Sequence, residues 1–456
     1  MFRRFFDEGL AQSSYLLACD RTRLAVVIDP RRDIDEYVET AVREGLTITH
    51  AIETHVHADF VSGARELAVR GATVVAGPGA GLRFAHQEVA GGTTLRIGAL
   101  DLDVAHTPGH TPEHITILAR APGAPTRAFT GDTLFVGAVG RPDLLGEGST
   151  RRLAEDLFDS IQRLMALNDA VEVWPGHGAG SLCGAGIGAD VSTTIGHERR
   201  FNRLAQHRTR DAFVADVLAD LPETPPYFPR MKQLNAAGPA VLDLAHGVGP
   251  PPTVGARDAA ARIAAGALLI DIRSAADFGD GHPSGVLSLS FGPKLGYWAG
   301  WVIPPDAPVL VLADRADDTA QAVRQLLRIG IDRVEGRIDG GFAAWQAAGL
   351  PVQTIPHVTA AELRERRTTP GALTVLDVRS AREWQAGHID GALHMPVGEI
   401  ATRWRELPQA GTIATVCEGG YRSTLAASLL ERHGFDHLIN VTGGMSAWRT
   451  LEPVTP

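Results

Sequence analysis

Through residue 245, short apolar runs alternate with polar segments. RLAVVIDP (23–30), ATVVAG (72–77), LDLDVAHTPGH (100–110), RAFTGDTLF (127–135) and AVEVWPGHG (170–178) are rich in β-branched and aromatic residues and predict strands. DIDEYVETAVREG (33–45) and VSGARELAVRG (61–71) carry apolar positions at helical spacing and predict helices. Histidine and aspartate stand where the strands run out. The Pro-rich passages LPETPPYFP (221–229) and GVGPPPTVGA (247–256) then predict a linker region.

Beyond the linker the pattern repeats. ALLIDIRSAADFGDGHPSGVLSLS (267–290) lies beside LTVLDVRSAREWQAGHIDGALHMP (373–396), and the likeness continues to the closing Gly-Gly turn and Trp helix of each half. Two units are too few for a solenoid, so a complete domain is duplicated. The expected organisation is a domain over 1–245 and two α/β domains over 246–355 and 356–456.

Composition narrows the partners. The chain of 456 residues carries 53 acidic against 43 basic side chains, a formal charge of −10. That balance argues against nucleic acid and against an anionic membrane, since neutralising phosphates requires clustered Lys and Arg. Cys19, Cys183 and Cys417 are an odd number in a long chain, which suits separate thiols in a reducing cytoplasm. No segment approaches the length of a membrane span, and the first residues lack a signal-like apolar stretch. A homo-oligomer is compatible with all of this.

The strand-end loops hold ETHVHADFVSG (53–63), HTPGHTPEH (106–114), TGDTLF (130–135) and WPGHG (174–178). Their His55, His57, Asp59, His110, Asp132 and His177 offer the imidazole and carboxylate set of zinc, iron or manganese sites. In the last domain Cys417 follows an apolar strand in TIATVCEGGYRST and precedes a helix. Successive backbone N–H groups of Glu418, Gly419, Gly420 and Tyr421, entering a helix N-terminus, make a nest for an anion, to which Arg422 adds charge.

THVHADF, PGHT, GDTLF and PGHG resemble the metallo-β-lactamase superfamily, an αββα sandwich with metal between the sheet edges. In its dinuclear members a histidine fills the place of Phe60. An apolar ring there implies a mononuclear site. Among one-metal branches the pattern is most similar to persulfide dioxygenases, which hold one ferrous ion on two histidines and an aspartate. By motif these ligands fall on His55, His110 and Asp132, with His57, Asp59 and His177 nearby and Arg141 near the substrate.

LDVRSAREWQAGHIDGALHMP with CEGGYRS resembles the rhodanese family. The resemblance places Cys417 as the sulfur-carrying nucleophile, Arg422 beside it, Glu418 to Tyr421 around the substrate, and Asp377, Arg379 and His388 in structural positions. In the middle repeat Ala313 or Asp314 stands opposite Cys417 and Asp318 opposite Arg422, so that domain is read as catalytically silent.

These resemblances imply a persulfide dioxygenase joined to a thiosulfate sulfurtransferase. Its expected partners are a low-molecular-weight thiol persulfide such as glutathione persulfide, dioxygen, and thiosulfate or sulfite. A zinc thioester hydrolase resembling glyoxalase II, and a sulfur-carrier scaffold with structural metal, are the alternatives. Cys183 reads either as packing or as a persulfide-accepting thiol, and Cys19 as packing.

Overall fold

The computed structural model describes residues 1–368, 373–452 and 454. It divides into two units, residues 1–248 with 327–330 and residues 249–326 with 331–456. In the first unit, β1 (Phe2–Asp7), β2 (Gln12–Ala18), β3 (Leu24–Ile28), β4 (Thr47–Ile52), β5 (Thr73–Ala76) and β6 (Gln87–Glu88) form one sheet, each beside the next. β7 (Thr94–Ile97), β8 (Leu100–His106), β9 (Ile115–Arg120), β10 (Arg127–Gly131), β11 (Glu172–Pro175) and β12 (Thr193–Thr194) form the second in the same manner.

The inner faces bury Tyr15, Val26, Ile52 and Val75 against Leu102, Val104, Ile117 and Phe129. Helices cover both outer faces. Tyr37 and Ala41, one helical turn apart in the helix Asp35–Glu44, pack with Leu67 on the first sheet. Leu157 and Ile161 of the helix Glu147–Met165 pack on the second. This is the αββα sandwich.

The passage expected as linker is not free. Tyr227 and Phe228 are buried, and Pro229 opens a helix, Phe228–Ala237, whose Met231 is fully enclosed. Proline is favoured at the first helical turn, where its missing N–H costs nothing. Composition alone cannot separate that role from a linker.

In the second unit each repeat builds its own five-stranded parallel sheet. The spatial order is Thr253–Val254, Val334–Ile338, Val309–Leu312, Leu268–Asp271, Leu287–Ser288 in the first. It is His357–Thr359, Leu438–Thr442, Thr412–Val416, Leu373–Asp377, Leu393–His394 in the second. The Asp-x-Arg pairs act as matched internal braces. Arg273 pairs with Asp271 and donates to the Gly281 carbonyl at 2.8 Å, as Arg379 pairs with Asp377 and donates to Gly387 at 2.8 Å. Among the described residues, no helix is long and apolar enough to cross a membrane.

Candidate active sites

The sandwich gathers His55 after β4, His110 after β8, Asp132 after β10 and His177 after β11 at one end of its sheets. One ligand atom each from His55, His110 and Asp132 lies within 4.8 Å of the others, and all three residues are buried. His55 Nε2 stands 3.8 Å, and His110 Nε2 3.5 Å, from Asp132 Oδ2. These three atoms have no hydrogen-bond partner. Orphaned polar atoms are expensive inside a protein, and three of them converging is the signature of a site built for a cation.

The surroundings fix each ligand's orientation. His55 Nδ1 donates to Thr54 Oγ1 at 2.9 Å, whose hydroxyl donates to Asp29 Oδ2 at 2.9 Å. His110 Nδ1 donates to the Arg141 carbonyl at 2.8 Å. Both arrangements leave Nε2 with its lone pair free, the tautomer a metal requires. His177 Nδ1 holds Asp132 Oδ1 at 2.9 Å, so that Oδ2 turns to the two histidines. Burial, aided by the neighbouring imidazoles, pushes His55 well down, and burial also lowers His110, keeping both neutral. Burial opposes charge on Asp132, but His177 outweighs it and holds the carboxyl down. Burial likewise opposes the His177 cation, yet Asp132 and Asp59 push it up to about 10.

His57 turns away from this triad. Its Nε2 lies 3.2 Å from both Asp29 Oδ1 and Glu53 Oε2, a buried group of its own. Phe60, fully enclosed, packs against it with the rings tilted and their centres 4.4 Å apart. The loop is tied by Asn235, whose Nδ2 donates to the carbonyls of His57 (2.9 Å) and Phe60 (2.8 Å) and whose Oδ1 accepts from the Ser62 N–H (2.9 Å). His114 accepts the Asp132 N–H at its Nε2 (3.0 Å), and burial pushes it down to about 3. A small, mainly apolar pocket has His55, Val56, Leu82 and Phe84 in its wall.

Asp59, His177 and Cys183 form a further buried group that could hold a metal. Both His177 nitrogens are engaged by carboxylates, Nε2 by Asp59 at 2.8 Å, and burial beside Asp59 and Asp132 pushes the Cys183 thiol well up. Cys19 is buried packing beside Ala99.

Arg141, expected near the substrate, has its guanidinium engaged within the protein. It is buried, pairs with Asp143 through two 2.7 Å bonds, and donates to Thr224 Oγ1 and the Leu182 carbonyl. A guanidinium so engaged braces its loop, and its contribution to the site is the carbonyl that orients His110.

In the last domain Cys417 follows the strand Thr412–Val416 and is 1% exposed. Its Sγ accepts the Gly420 N–H at 3.0 Å. Gly444 must be glycine: at φ +50° a Cβ there would lie 2.2 Å from the Cys417 carbonyl. The charge that Arg422 brings to the loop is paired. Its Nη1 and Nη2 each donate to Glu383 at 2.6 Å. Burial works against the Glu383 carboxylate, but Arg422 and Ser380 hold it down to about 2. Glu418 turns its carboxylate to Arg449 (2.6 Å) and Ser446 (2.8 Å), so it offers the loop its backbone. Gly419 faces open space, and the Tyr421 hydroxyl is buried without a partner. In the middle repeat Ala313 follows the strand Val309–Leu312 as Cys417 follows its own.

Residues 7–177 match the metallo-beta-lactamase superfamily, and residues 255–348 and 359–451 each match the rhodanese-like domain. A crystal structure of a metallo-beta-lactamase from Staphylococcus aureus is 33% identical, with a TM-score of 0.66, covering 74% of this chain and 98% of that one. A mitochondrial persulfide dioxygenase of Bos taurus is 27% identical over 258 residues, 56% of this chain and 91% of that protein. A hydroxyacylglutathione hydrolase of Chromohalobacter salexigens is 37% identical over 164 residues, 36% of this chain and 60% of that protein. The chain spans 47% to 61% of the length of the first seven curated relatives it matches.

Proposed function

Since the chain belongs to the metallo-β-lactamase superfamily, with two rhodanese-like domains behind that fold, we propose that it is a persulfide dioxygenase coupled to a sulfurtransferase. The observation that carries the reading is the convergence of the unpartnered His55 Nε2, His110 Nε2 and Asp132 Oδ2. Two imidazoles and one carboxylate suit ferrous iron, so His55, His110 and Asp132 would hold one ion per chain, which when bound would supply the redox chemistry needed with dioxygen. Thr54 and the Arg141 carbonyl hold the two imidazoles neutral and oriented, and His177 holds Asp132 ionised. In the net reaction persulfide, dioxygen and water give thiol, sulfite and two protons.

At the second site the Cys417 sulfur attacks the outer sulfur of thiosulfate, the sulfur–sulfur bond breaks, and sulfite leaves. A thiol then takes the sulfur from the Cys417 persulfide, which returns the cysteine and gives the persulfide used at the first site. Tethering both steps in one chain raises the effective concentration of the intermediate.

Hydroxyacylglutathione hydrolase relatives and the Asp59, His177, Cys183 group favour a second reading, a dinuclear zinc thioester hydrolase. Metal analysis with oxygen uptake on glutathione persulfide separates them. The dioxygenase reading expects about one iron per chain and loss of uptake in His110→Ala. Zinc pairs, or uptake unchanged in the variant, would overturn it.

A further inference from the structure

The cysteine-free repeat does more than adjoin the active one. Within the second unit, three of its backbone or side-chain groups meet the helix Tyr421–Arg432, whose first turn closes the Cys417 loop. Ser288 N–H donates to Ser428 Oγ at 3.0 Å, His282 Nε2 meets Glu431 at 3.2 Å, and Arg432 donates to the Gly285 carbonyl at 2.5 Å. Its short helix Leu295–Val302, LGYWAGWV, brings Trp298 and Trp301 to the active repeat. Trp301 lies directly on Gly398, where a Cβ would come within 2.3 Å of the ring. The Arg422 guanidinium carbon stands 6.0 Å from the centre of the Trp298 ring.

These contacts divide the hold on Arg422 in two. Glu383 takes the two terminal nitrogens through an ion pair, whereas Trp298 meets the cation with an aromatic face. An anionic substrate that reaches Arg422 competes with the carboxylate for the same donors. It does not compete for the aromatic face, because an anion is repelled by the π cloud that attracts a guanidinium. The indole therefore keeps its grip while the carboxylate is exchanged for substrate.

We propose that Trp298, supplied by the silent repeat, is a positioning residue of the Cys417 site that sets its affinity for an anionic sulfane-sulfur donor by holding Arg422 as Glu383 lets go. The inference rests on the sulfurtransferase reading. It gives the silent repeat a role in binding without chemistry, and the bond made and broken at Cys417 does not involve the indole.

The test measures sulfite release from thiosulfate with a thiol acceptor, using the full chain and the variants Trp298→Leu and Trp298→Phe. Leucine keeps apolar packing and removes the π face, while phenylalanine keeps the face. With cation–π attraction of the usual strength, Trp298→Leu raises the thiosulfate KM about 3- to 30-fold with kcat within about twofold, and Trp298→Phe stays within about threefold of wild type. A KM unchanged in Trp298→Leu, or lost equally in both variants, overturns the proposal while the sulfurtransferase reading stands. A wild-type chain that releases no sulfite overturns that reading itself.

Discussion

Asn235 should control the rigidity of the loop that carries His55 and His57. Truncation in Asn235→Ala removes two donors and one acceptor from a residue only 5% exposed, leaving two carbonyls and one N–H without partners. Each buried backbone group left unsatisfied costs about 1–3 kcal/mol, and a water entering the vacated space recovers part of that, so the loop should lose about 3 kcal/mol of opening free energy. At 1.4 kcal/mol per tenfold, this corresponds to about 10²-fold faster exchange of the Ser62 amide. Hydrogen exchange read on a peptide spanning residues 55–63 measures it without requiring the whole chain to unfold in one step. Asn235→Asp is the discriminating companion: it keeps the acceptor for Ser62 but points a carboxylate oxygen at two carbonyls, and should exchange faster still. If Ser62 exchange in Asn235→Ala stays within about threefold of wild type, the three bonds do not hold the loop and the reasoning fails.

Two further outcomes follow from the sites. Phe60→His should raise zinc loading, measured by elemental analysis after saturation, from about one to about two ions per chain, because Asp59, His177 and Cys183 already lie within ligand reach of one another; a count unchanged at one would show that Phe60 is not what restricts the site. Glu383 is depressed from its ordinary 4.5 to about 2 in the folded chain, so its pairing stabilises fully above about 4.5 and is lost as pH falls toward 2. The urea midpoint of wild type should exceed that of Glu383→Gln by a constant margin from neutral pH to about 5 and converge with it below, and a margin that grows on acidification would contradict the ion pair.

Much of this architecture is legible in the sequence because strand ends are punctuated. His55, His110, Asp132 and His177 each follow an apolar run and sit among Gly, Pro and Thr, which marks them as loop residues at one sheet edge. The groups that orient them are not legible. Asp29, Glu53 and Asn235 are common types in ordinary surroundings, and Asn235 reaches its partners from more than 170 positions away. A contact of that span leaves no local pattern. Its segment looked like a linker because proline serves both a chain break and a helix start. The same ambiguity hid the Arg422 partner: Glu383 fits a capping box with Ser380, and nothing along the chain says that its second oxygen also faces a guanidinium. Cys183 was undecided for the reverse reason, since a thiol next to glycines packs equally well in a core or beside a metal.

The matched braces Asp271–Arg273 and Asp377–Arg379 show how little separates the two repeats in shape. What separates them is the set of side chains at the tip of the central strand. Where one carries Cys417 and Arg422, the other has Ala313 followed by Asp314, Asp317 and Asp318, with Arg315 at 4.0 and 3.9 Å from the last two. A thiol grafted at Ala313 would have a matching strand beneath it but Asp318 where the active repeat has Arg422. The repeat read as silent thus lacks both the sulfur and the cation of its neighbour, and a graft of the thiol alone would restore only one of them.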